Sequence, residues 1–109
     1  MQLTRDNLQL LPQLLDEIHD RYFDLQRVQY DREAGQWRLP FGDSKYGPYE
    51  HAVVVRGVRE YHLQDTERIR FYCINELKFS LETESVILTC DVPIGIRLDV
   101  QPDFVVSLE

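Results

Sequence analysis

Three histidines and two cysteines are the side chains best suited to catalysis or metal binding, and their spacing scatters them. Cys73 and Cys90 have neither CxxC spacing nor an adjacent histidine, so neither a zinc pair nor an activated thiol has its usual partners. Both fall on apolar positions of an alternating pattern and are expected as free, buried thiols. His19 precedes Asp20 near the end of a predicted helix, where a cation suits the helix dipole. His51 and His62 stand at the two ends of one predicted strand, about 35 Å apart if that strand is straight. Only a bend at Gly57 would bring them to one ion. Asp65, Thr66 and Glu67 form the remaining polar cluster. Paired carboxylates can hold a divalent metal or move protons, and the same triplet serves as a turn or helix cap. A small-ligand or metal site built from His51, Asp65 and Glu67 is therefore the alternative reading of the chain. No P-loop, nucleophile elbow or zinc spacing occurs in the sequence. The chain is read as a non-enzyme with no cofactor.

The stretch Gly42 to His51, GDSKYGPYEH, is the longest run of turn-forming residues. Tyr46, Tyr49 and His51 surround Gly47 and Pro48 there. Rigid amphipathic rings beside a turn are favoured at protein interfaces, and long loops are often functional. These three residues are the candidate binding site. Two other accounts fit the same residues: a loose connector, or tyrosines folded back over the edge of a sheet.

The elements that must position this loop follow from periodicity. Leu8, Leu11, Leu15, Ile18 and Tyr22 make a helical stripe, with Thr4 or Asp6 as cap and Pro12 at its first turn or at a kink. Strands are predicted over Leu25 to Tyr30 and Gln36 to Phe41, joined through Gly35, with Val28, Tyr30, Trp37, Leu39 and Phe41 inward and Pro40 at an edge or strand end. Ala52 to Leu63 is apolar on both faces, as in a central strand. Alternation from Ile69 to Cys90 predicts three strands. Their hairpins lie at Ile74–Asn75–Glu76 and at Glu82 to Ser85, and Ile69, Phe71, Cys73, Leu77, Phe79, Leu81, Val86, Leu88 and Cys90 share one face. This register puts the two thiols roughly 9 to 10 Å apart across two strand spacings, too far for a disulfide. A helix starting at an Asp65 or Thr66 cap is the alternative for the first of these segments. Ile94 to Val100 and Phe104 to Leu108, separated by a turn at Pro102 and Asp103, complete the chain. The expected class is α+β: an N-terminal helix packed on a largely antiparallel sheet of about eight strands that curls or splits into two layers.

A chain of 109 residues fits a single domain, 1–109, able to bury roughly 65% of its unfolded surface without staples. Its net charge of −7 disfavours a nucleic-acid backbone as partner. Met1 to Leu15, interrupted by Arg5, Asp6 and Asn7, reads as neither a signal peptide nor a membrane span, and a cytoplasmic location is expected.

The His19–Asp20 pair is similar to two letters of the metal-dependent HD phosphohydrolases, but one helix cannot supply the other ligands that those enzymes use. A broader resemblance runs through EIHD at 17 to 20, YDREAG, VVVRGVREYHLQDTE and the segments after them. In that order the chain resembles small uncharacterised bacterial domains, some similar to immunity proteins of polymorphic toxin systems. The resemblance implies a cytoplasmic protein that binds another protein, with no catalytic residue carried over. An exposed strand edge would also allow a homo-oligomer.

Overall fold

The computed structural model describes residues 1–65, 67–92 and 94–109. A short strand β1 (Gln2–Thr4) leads through a 3-10 segment, Arg5–Leu10, into helix α1 (Leu11–Ile18). Thr4 closes the first turn with a capping box: its hydroxyl accepts from the Asp6 N–H, and the Asn7 side chain accepts from the Thr4 N–H at 2.5 Å. Pro12 lies in the first turn of α1, where its missing N–H has no acceptor to lose. Leu14 and Ile18 are fully buried, and Leu8, Leu10, Leu11 and Leu15, partly buried, pack against the core that they enter. The stripe was expected to continue to Tyr22. Instead the helix stops at Ile18, His19 is extended and Asp20 takes a positive φ of 64°, which turns the chain into strand β2 (Tyr22–Asp24).

The Leu25 to Tyr30 segment, predicted as one strand, divides into a 3-10 turn, Leu25–Arg27, and strand β3 (Gln29–Asp31). Asp24 causes the break by accepting from the Gln26 N–H at 3.0 Å, the local capping bond that competes with a ladder. The hairpin from β3 to β4 (Gln36–Phe41) forms as expected, with Gly35 at φ 65° and Trp37, Leu39 and Phe41 buried. Pro40 pairs with Ala52, whose own N–H donates to Glu109 on the far side of its strand. The proline nitrogen therefore faces the edge of β4 that β3, ending opposite Arg38, leaves open.

Strand β5 (His51–Asp65) is central, paired with β4 on one side and β8 (Ile94–Leu108) on the other. Ala52, Val53, Val54 and Val55 are all fully buried, matching their apolar run. Two register shifts, on either side of Val58, bend the β5–β8 ladder. Gly57 makes this bend possible: its φ is 82°, and a Cβ there would lie 3.0 Å from the Phe104 Cα. The turn expected at Pro102 and Asp103 does not form. Arg56 pairs with Val105 and Val58 with Val100, so residues 101–104 bulge while β8 runs on as one strand.

A parallel correction applies to the centre of the sequence reading. Phe71–Ser80 is one strand, β6, and its hairpin partner is β7 (Ser85–Cys90). The helical alternative for this segment falls, and a cap at Thr66 lies outside the described residues. Ile74–Asn75–Glu76 is a bulge: Ile74 faces Cys90, Glu76 faces Thr89, and Asn75 is the extra residue. A bulge and a three-residue hairpin both shift the alternation by one, which is why the pattern could not separate them. With the strand continuous, Tyr72 and Ile74 point inward, while Phe71 and Cys73 are half-buried and Ile69 is exposed. Leu77 pairs with Leu88 and Phe79 with Val86, two residues from the expected register but on the expected face, and Leu81 is left exposed.

Among the described residues the path β2-β6-β7-β8-β5-β4-β3, with β1 added to β8, accounts for eight strands. Two expected pairs merge, and β1 and β2 replace them. The antiparallel sheet curls until β2 meets the end of β4, where Tyr22 and Gly42 exchange two backbone hydrogen bonds of 2.9 and 3.0 Å. Helix α1 packs against β6, as the expected α+β class requires. One apolar cluster fills the interior, with Trp37, Tyr72, Phe23 and Phe104 its largest buried side chains.

Candidate functional site

The loop between β4 and β5 is folded back on itself. It starts at Gly42, the residue that closes the sheet, and doubles back so closely that a Cβ on Gly42 would run into the Pro48 carbonyl. Inside the loop the Tyr49 hydroxyl donates to the Lys45 carbonyl, and Gly47 N–H donates to Ser44 at 3.0 Å. Its rings then meet two distant segments of chain. Tyr46 stands edge-on to Phe71, with centroids 4.9 Å apart, and the Arg27 guanidinium lies 5.7 Å from the Tyr49 ring centre.

Asp24 anchors this arrangement. It is only 1% exposed, and such a carboxylate needs cationic or N–H partners to remain ionised. Arg70 supplies a two-pronged contact, Nε to Oδ1 at 3.0 Å and an Nη to Oδ2 at 2.9 Å, and Arg27 adds an ion pair at 3.8 Å. The Arg70 hydrogen bonds hold the Asp24 carboxyl below its usual range, with help from the Gln26 N–H against the opposing effect of burial. Burial, followed by the Asp24 charge, raises the Tyr49 phenol and keeps it neutral.

Arg70 lies 5.0 Å from the Phe71 ring centre, and Lys45 lies 5.6 Å from that of Tyr46. The contacts thus close into a circuit: Asp24, Arg70, Phe71, Tyr46, Lys45, Tyr49, Arg27 and back to Asp24. Three chain segments meet in it, and Tyr46, 74% exposed, projects from it. Exposed aromatic rings held beside arginines can bury a large area on a partner with little further loss of rotamer freedom.

Of the three residues expected to bind, Tyr46 and Tyr49 belong to this circuit and His51 does not. His51 lies against Phe41, with centroids 5.7 Å apart, and lines a separate groove of about 220 Å³ with Glu17, Arg21, Leu108 and Glu109. Asp24, Arg27, Arg70 and Phe71 were missed because they lie about 20 residues to either side of the loop. The available signal was Asp24 itself, an acid between Phe23 and Leu25 in an apolar triplet.

The alternative ligand set is not assembled. His51 begins β5 and Asp65 ends it, and Asp65 instead accepts from the Tyr72 hydroxyl. His62 is engaged with Asp99 at 2.8 Å, and Asp99 also meets Arg97 at 3.2 Å. Among the described residues no group of three or more His, Cys, Asp or Glu is placed to hold a metal ion. Both thiols are free, but half-buried and on adjacent strands rather than two strands apart. Cys90 shares the inward face with its partner Ile74, and Cys73, the next residue along from Ile74, faces the other way. Burial pushes the Cys90 thiol up to about 12, far from the thiolate that reactivity needs.

The fold defines an α+β protein with a strongly curled antiparallel sheet. No protein-family model and no curated protein sequence matches the chain. Among solved structures it is similar to an uncharacterized protein from Neisseria gonorrhoeae, with a TM-score of 0.50 and 13% identity over 84% of this chain and 91% of that one. That likeness extends to the fold alone. No described helix is long and apolar enough to cross a membrane.

Proposed function

We propose that the chain is a non-enzymatic protein-interaction module of the bacterial cytoplasm, inhibitor-like in size and charge, which docks its partner on the face carrying Tyr46 and Tyr49. The single observation that carries this reading is the circuit around Asp24. It sets the 74%-exposed Tyr46 ring against Phe71 and the Tyr49 ring beside Arg27, so that three chain segments meet around two tyrosines, an arrangement that core packing does not need. Tyrosine and arginine dominate binding energy at protein interfaces, and a ring fixed before binding loses little freedom on docking. Self-association through a strand edge is the competing reading, and β5 beyond Arg56 offers such an edge, since β4 pairs with it only from His51 to Arg56.

The test is capture from the source lysate on immobilised wild-type chain and on Tyr46→Ala. Tyr46 is exposed, so its loss should leave the melting temperature within about 2 °C. A discrete partner retained by wild type and lost by Tyr46→Ala supports the reading. Equal capture by both removes it.

A further inference from the structure

We infer that this face takes an acidic segment of a partner protein, with carboxylates seated on Arg27, Arg70 and Lys45 and an apolar or aromatic residue against Tyr46. The inference rests on the interaction reading above and assigns its partner chemistry. The chain as a whole carries −7, so a local excess of cations runs against its composition. Three cationic heads nevertheless gather here around two tyrosine rings and Phe71. The one carboxylate inside the circuit is Asp24. It is buried, with both oxygens already engaged, so it presents little negative charge to an incoming ligand.

Arg27 and Arg70 are 64% and 49% exposed while bonded to Asp24, which leaves guanidinium N–H groups facing outward. Asp24 occupies the Nε and one Nη of Arg70 and fixes the guanidinium, so its remaining Nη N–H groups are the ones that a second carboxylate can meet. Like-charge repulsion from the rest of the surface would reject acidic chains that cannot reach this patch, which adds selectivity. A basic partner would find most of the acidic surface attractive and this face repulsive.

Selection from a random 12-residue peptide display library on the intact chain tests the assignment directly, since it requires no prior partner. Wild-type bait should enrich peptides carrying Asp or Glu beside an aromatic or aliphatic residue. Bait carrying Arg27→Gln and Lys45→Gln, changes that spare the Asp24–Arg70 pair, should bind the selected peptides at least about tenfold more weakly with a melting temperature lowered by no more than about 4 °C. Tyr46→Ala should weaken them as well. A pool without acidic bias, no enrichment, or equal binding by the glutamine variant overturns the acidic assignment. Peptides that depend on Tyr46 but not on the two cations would overturn the assignment while leaving the docking face standing. A concentration-dependent dimer that the glutamine variant dissolves would give the face to a second copy and also overturn it.

Discussion

At the scale of single residues, Asp24 has the clearest energetic role. Its carboxyl is held below the unfolded value by Arg70, so ionised Asp24 contributes stability above the ordinary carboxylate pKa near 4. That contribution fades as pH falls through the lowered, folded value. Asp24→Asn should therefore cost about 2 kcal/mol at pH 7, and the gap should shrink in urea melts below about pH 4. A pH-independent gap would mean that the Arg70 pair is not what stabilises the carboxylate. Gly42→Ala belongs to the same scale. The added methyl meets the Pro48 carbonyl at the point where β2 and β4 join, so both the loop and the closure of the sheet should loosen. Hydrogen exchange should quicken at the Tyr22 and Gly47 amides in that variant, and unchanged protection would contradict the close approach.

Elements were legible where a local chemical signal coincided with the alternation. Gly35 marked the β3–β4 turn, the valines of β5 marked a strand covered on both sides, and Pro12 marked the start of a helix. The errors share one physical cause: the strand that takes up the extra residues carries no glycine there to mark them, and at 101–104 the one signal, Gly57, lies on the facing strand. Ile74–Asn75–Glu76 and Gln101–Phe104 both look like turns, yet each is extra chain taken up by a ladder that continues past it. The consequence at Asn75 is testable. Deleting it removes the extra residue and still keeps Tyr72, Ile74, Leu77 and Phe79 on one face, so the variant should fold with a loss of no more than about 2 kcal/mol. Deleting Ile87 from the regular part of β7 would turn Leu88 and Cys90 outward and should abolish cooperative unfolding. Equal damage from the two deletions would show that the bulge is needed for the curl.

At the scale of the whole molecule, the candidate site could not be read from the sequence because it exists only once the sheet has curled. The tyrosines were visible as an aromatic loop, but the 24–27 turn and the 70–71 entry to β6 reach them only through closure of the sheet. Curling also separates His51 from Tyr49, two residues apart in sequence, onto different surroundings. The same geometry brings three cations and three aromatic rings together on an acidic protein. Binding there should weaken as salt rises from 50 to 500 mM, while the melting temperature moves little, because exposed charge pairs are screened far more than the packed interior.

The central claim is that the partner sits on the face formed by residues 24–27, 45–49 and 70–71. Its most direct measurement replaces Tyr46 with a photo-crosslinking phenylalanine derivative in the source cell, with the same derivative at Ile87, in β7 and outside the circuit, as control. A single discrete protein crosslinked from position 46 and not from position 87 is the expected result. Crosslinking from position 87 alone, or the same product from both positions, would contradict it.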